Sequence, residues 1–139
     1  MFIGMIIWVM GMLNHPIEPT ICEVVVAITK EDKDLLYRCV EAEAGNQSEE
    51  GKRLVADVIL NRMRSDKFPN TIKGVISQPF QFSVWGNGSI DRVTPSEETI
   101  DAVNAEFKER LNSDVLYFNA IDYMYGTPWQ KVGAHYFSY

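Results

Sequence analysis

The sequence predicts a single α+β domain, on three observations. Stretches with helical spacing of apolar residues fill the first two thirds of the chain, and each opens on a capping signal. Two short runs, Val115-Leu116-Tyr117-Phe118 and Ala134-His135-Tyr136-Phe137, read as strands and come late. No internal repeat or low-complexity linker divides the 139 residues, 46% of them hydrophobic, which suffices for one core. Helices first and strands last define the class.

In the first helix, Thr29-Lys30-Glu31-Asp32 has the form of a capping box, a hydroxyl followed three residues later by a carboxylate. The helix is expected to run to Ala44 and stop at Gly45, where glycine tolerates a left-handed cap. A second helix starts after Ser48, with Glu49 and Glu50 in its positive first turn. Leu54, Val55, Val58, Ile59 and Met63 form its apolar stripe, and Arg53, Asp57, Asn61 and Arg64 follow the other face. Phe68-Pro69-Asn70 ends that unit, and a helical turn from Thr71 to Ser77 leads into Gln78-Pro79. Phe80 to Val93, rich in Gly, Asn and Ser, reads as loop or short strands. Thr94-Pro95-Ser96-Glu97 predicts a third long helix capped by Thr94, with Ile100, Val103, Phe107 and Leu111 on its buried side. A loop bearing Tyr and Trp joins the two strands.

Residues 1–27 form an apolar N-terminal segment, with an export signal or an anchor set against a packed segment, and residues 28–139 form the domain. Thirteen apolar residues are too few to span a bilayer, and no Lys or Arg precedes Lys30. The net charge of −6 argues against a nucleic-acid partner, whose phosphates require a basic face. Cys22 and Cys39 have no zinc spacing, so Cys39 reads as a buried thiol, with a Cys22–Cys39 disulfide left open. Only His15 and His135 are present and no acidic loop has a calcium spacing, so neither metal nor cofactor is expected.

The chemistry concentrates in Cys39-Val40-Glu41-Ala42-Glu43-Ala44-Gly45. On a helix Leu36, Cys39, Val40 and Glu43 share one face, whereas Asp34, Arg38 and Glu41 share a polar one. Glu41 then reads as a solvated partner of Arg38. Glu43 is a carboxyl group pointing along the apolar stripe at a helix C-terminus, where desolvation and the negative dipole end both raise its pKa. Such a carboxyl suits protonation of a departing glycosidic oxygen. Phase alone also allows a rim carboxylate bonded to backbone.

The ordered set Asp34-Leu35-Leu36, Val40 to Gly45, Glu50-Gly51-Lys52 and Val58 to Arg62 resembles the cell wall hydrolase family, which includes the catalytic domain of spore cortex-lytic enzymes. The likeness continues through Phe68 to Ile72, Gly74-Val75-Ile76, Gln81-Phe82-Ser83, Leu116-Tyr117-Phe118 and Gly133-x-His135-x-Phe137. It implies a lysozyme-like, transglycosylase-like α+β fold, with several helices and a small antiparallel sheet from the C-terminal half. It also implies action on peptidoglycan, with Glu43 as catalytic acid. The chain departs from the family pattern at Ala42, usually Gly, and at Gly45-Asn46-Gln47, where Arg-Gly-Glu is common.

The resemblance favours a transglycosylase route, in which one Glu is acid and then base while the sugar's own hydroxyl attacks. Two-carboxylate hydrolysis would need a partner for Glu43. Asp57 falls on the wrong face for that, and Asp91 and Asp122 are loop candidates. Gln81 and Ser83 are candidates to bind sugar hydroxyls or acetamido groups, with turn capping as the plainer alternative. Tyr117, Asn119 and Trp129 are candidate glycan walls or core aromatics. His135 shares a strand face with Phe137, and a structural histidine is its plainer reading. Asn61-Arg62 is expected to support the active-site helix through hydrogen bonds. Two other readings are a Cys/His wall peptidase using Cys39 and His135, and a non-catalytic wall-binding module. A monomer at the cell envelope, secreted or phage-encoded, with a membrane or wall-targeting partner for delivery, completes the expectation.

Overall fold

The computed structural model describes residues 27–139, so the N-terminal segment and Cys22 lie outside the described residues. Helix α1 (Lys30–Ala44) opens on the expected capping box, Thr29 accepting from the Asp32 amide while Asp32 accepts from the Thr29 amide. Gly45 ends it at φ −57, a right-handed conformation and not the left-handed cap expected. Space explains the glycine, because a Cβ there would stand 2.5 Å from the Glu41 carbonyl oxygen.

Helix α2 (Glu49–Arg64), capped by Ser48, is the centre of the domain and is buried at every position from Leu54 to Arg62. Helices α1, α3 (Ile72–Ile76) and α5 (Glu97–Lys108) and strand β1 (Tyr117–Asn119) pack around it. The polar face is therefore largely enclosed as well, and Asp57, Asn61 and Arg62 hold the chain that leads from α5 into the sheet. Asn61 donates to the carbonyls of Asn112 and Val115, both at 2.9 Å, and Arg62 Nε donates to that of Leu116 at 2.7 Å. Asp57 accepts from the Asn112 amide at 2.8 Å. Most buried polar groups are paired in this way.

The stretch Phe80 to Val93 forms no strand. It holds the short helix α4 (Ser83–Gly86) and a 3-10 turn, Ser89–Asp91. Phe80 is the one non-glycine residue with positive φ (+64) among the described residues, a conformation that costs an L-residue about 1–2 kcal/mol.

Helix α5 is capped by Ser96 and not by Thr94, so Pro95 precedes the cap. Tertiary contact selects the site. Glu41 accepts from the Ser96 amide, the Ser96 hydroxyl and the Thr99 hydroxyl, tying α1 to the start of α5. Arg38 pairs instead with Asp34 at 2.9 Å and Asp91 at 3.2 Å. The buried side of α5 shifts with the cap to Thr99, Ala102, Val103 and Glu106, leaving Leu111 exposed beyond the helix end. Ser96→Ala removes the cap and a bond to Glu41, and is expected to cost ~1 kcal/mol. A urea titration should show a lower midpoint at unchanged slope.

Strands β2 (Pro128–Val132) and β3 (His135–Ser138) form a hairpin, and the antiparallel sheet runs β1-β3-β2. The loop expected between the two predicted strands thus contains a third strand, β2. Phe118 lies opposite Phe137, and Val132 opposite His135. Gly133 makes the tight turn at φ +56, where a Cβ would also collide with Gln47 Oε1. Gln47 accepts from the Ala134 amide at 2.9 Å, so the segment after α1 is fastened to the hairpin.

Candidate active site

Glu43 sits in the last turn of α1, next to fully buried Ala44 and one turn after fully buried Cys39. Its carboxyl is half-buried, and desolvation raises its pKa, partly offset by the nearby backbone amide of Val84 in α4. No neighbouring charge contributes to that shift. The carboxylates that could have served as partners are committed elsewhere. Glu41 caps α5, Asp91 holds Arg38, and Asp57 is enclosed behind α2. Asp122 is exposed in the loop before β2. A partly dehydrated carboxyl is suited to hold a proton to higher pH than an ordinary one and to release it to a departing oxygen.

The segment carrying Val84 also carries two of the predicted binding residues. Ser83 is exposed at the start of α4, and exposed Gln81 accepts from Arg62 Nη1 at 3.0 Å. Arg62 lies over the rings of Phe68 (4.7 Å), Phe82 (5.5 Å) and Tyr117 (5.5 Å), so one guanidinium links the Gln81-Phe82-Ser83 segment to β1. Burial lowers the Arg62 pKa. Asn61 and Arg62 therefore support the sheet and the α4 segment, while α1 is held by Glu41 and Gln47. Sequence reasoning missed the Val84 amide and both of these fasteners.

The other candidates spread along the sheet. Half-buried Tyr117 stacks near Phe68 and Tyr125, at centroid distances of 6.1 Å each. Asn119 shapes the following turn, accepting from the Ile121 amide at 2.8 Å. Trp129 packs toward Tyr139 at 5.9 Å. His135 is buried edge-on to Phe118 at 5.1 Å, and its Nδ1 has no hydrogen-bond partner among the described residues. Burial lowers its pKa, so its ring stays neutral and packs as a structural group.

Cys39 is free and sealed in the core, with its thiol pKa raised well above the ordinary value by burial and by Glu43. That removes the thiolate a peptidase would need and corrects the Cys/His alternative.

Comparison with known proteins agrees with this fold. The chain is 33% identical over 114 residues to the spore cortex-lytic enzyme of Bacillus subtilis, covering 76% of this chain and 37% of that protein. The corresponding enzyme of Bacillus cereus is 32% identical over 118 residues, covering 78% of this chain and 44% of the relative. The chain thus spans less than half the length of these relatives. Among solved structures, it is similar to the catalytic domain of the germination-specific lytic transglycosylase SleB from Bacillus anthracis, with a TM-score of 0.72 and 28% identity over 84% of this chain and 100% of that one. The SleB catalytic domain of Bacillus cereus gives a TM-score of 0.71 and 29% identity, covering 82% of this chain and 94% of that one. These neighbours share the lysozyme-like α+β architecture. The profile of the cell wall hydrolase family matches residues 46–138, beginning just after Glu43, so the role of Glu43 rests on its geometry. With well over half of its length matched by that profile, the chain belongs to the cell wall hydrolase family.

Proposed function

We propose that this domain cleaves the glycan strand of peptidoglycan at the cell envelope by a lytic transglycosylase reaction, with Glu43 as sole acid and base. The observation that carries the reading is the half-buried Glu43 carboxyl at the end of α1, raised in pKa by desolvation. The protonated carboxyl gives its proton to the glycosidic oxygen as the C1–O bond breaks. The resulting carboxylate takes a proton from a hydroxyl of the same sugar as that oxygen bonds to C1. Glu43 ends protonated, no water is consumed, and the product is an anhydro sugar. A structural neighbour described as a lytic transglycosylase supports the same chemistry over a two-carboxylate hydrolysis.

Mass spectrometry of fragments released from purified peptidoglycan tests the proposal. Anhydro-muropeptides are expected, each lighter by one water than its hydrolytic counterpart. Free reducing ends would replace transglycosylation by hydrolysis. Released peptides whose formation is lost in Cys39→Ser would overturn glycan cleavage altogether.

A further inference from the structure

A pocket of about 460 Å³ opens beside the Glu43 segment, within the usual range of small-molecule sites. Phe80, Trp85, Pro79 and Gly86 give it apolar surface, and Gln78 and Ser83 give it polar atoms. It adjoins the Glu43 helix through α4, which packs against α1 and carries Ser83 and Trp85.

Phe80 is the unexplained residue of this pocket. Its ring is fully exposed (103%) and its backbone is left-handed, so it gains no packing that would offset the strain. Glycine would hold the same turn without strain. A strained, solvent-facing aromatic beside a second aromatic, with exposed Ser83 on the same lining, suits a ligand with an apolar ring face and a rim of polar groups. A pyranose ring bearing an N-acetyl group has that chemistry.

We propose that Phe80 and Trp85 form the aromatic walls of a subsite that holds one N-acetylated sugar of the strand next to the bond cleaved at Glu43. The proposal rests on the glycan-cleaving reading above. Bound sugar would cover the Phe80 ring and bond to Ser83, fixing the strand relative to the carboxyl before any proton moves. Phe80 is a positioning residue, and it should act on KM more than on kcat.

Phe80→Gly removes the ring and the strain together, so its Tm is expected to equal or exceed that of the unsubstituted protein. KM for soluble glycan fragments should rise roughly ten-fold with kcat within about two-fold, and Phe80→Tyr should restore it. In the Glu43→Gln background, where no cleavage complicates binding, adding Phe80→Gly should weaken retention on insoluble peptidoglycan sacculi to a similar extent. Unchanged KM and unchanged sacculus binding in an active Phe80→Gly enzyme would overturn the subsite and leave the proposed function standing. If the unsubstituted protein cleaves nothing, the proposed function falls, while Phe80-dependent sacculus binding would still support the pocket as a sugar site. Loss of binding to phospholipid vesicles, with sacculus binding unaffected, would assign Phe80 to a membrane surface and overturn the subsite.

Discussion

Glu43→Gln is expected to lower peptidoglycan cleavage by about 10³-fold or more, since one substitution removes both the acid and the base. Glutamine keeps the shape beside the Val84 amide but can neither give nor take the proton. Glu43→Asp keeps the carboxyl and withdraws it by one methylene, and a displacement of that order is expected to cost about 10²-fold. Stability should move the other way. The folded-state pKa of Glu43 is raised, so its protonated form favours folding, and that contribution is lost as pH rises through the raised value. Glutamine cannot ionise. Above neutrality Glu43→Gln should therefore be at least as stable as the parent, as active-site substitutions that relieve strain often are. A carboxylate kept only to tie down the helix end would behave oppositely, and a lowered Tm in Glu43→Gln would assign that role. The rate of the parent should fall as pH rises through the Glu43 pKa, because the proton must be present before the leaving oxygen can take it.

Helical phase separated Glu43 from Glu41, since heptad-like spacing from Leu36 aims only one of them along the apolar stripe. The caps at Thr29 and Ser48 were equally legible because each acts within three residues of itself. What could not be read depends on distant partners. Thr94-Pro95-Ser96 contains two capping residues, and Glu41, 55 residues away, selects the second. Strand β2 has the sequence Pro-Trp-Gln-Lys-Val, without period-two alternation, and exists because β3 offers it an edge. Asp57 and Asn61 follow a polar face in phase, yet α5 and the approach to β1 close over them. At the site itself, the Val84 donor is a backbone amide and has no residue signature. Nor does the left-handed turn at Phe80, which lacks the glycine that would announce it.

Glu106→Ala is expected to destabilise the domain by about 3–5 kcal/mol, lowering Tm by roughly 10 °C or more. Glu106 and Asp57 are both buried, between Arg53, which bonds to Glu106, and Arg110, whose Nη1 lies 3.6 Å from Asp57 Oδ1. Glu106 also accepts from the Leu111 amide at 3.0 Å, which stops the chain at the end of α5. Burial and the hydrogen bond to Glu106 push Asp57 up to about 8, so near neutrality Asp57 holds the proton and donates it to its neighbour. Removing Glu106 leaves part-exposed Arg53 without its counter-ion, the Leu111 amide without its acceptor and a cavity beside buried Asp57. The pH dependence follows from the same pair. Because Asp57 is raised from an unfolded value near 4, its protonation stabilises the fold fully below about pH 4, and that contribution is lost as pH rises through about 8. Chemical denaturation across that window should show a decline of a few kcal/mol. Asp57→Asn supplies a permanent N–H donor in place of the titrating proton, so its stability should stay flat over the same range and exceed that of the parent at pH 9. A parent whose stability rises from pH 6 to 9 would place the proton elsewhere and require Asp57 to be an ordinary anion held by Arg110.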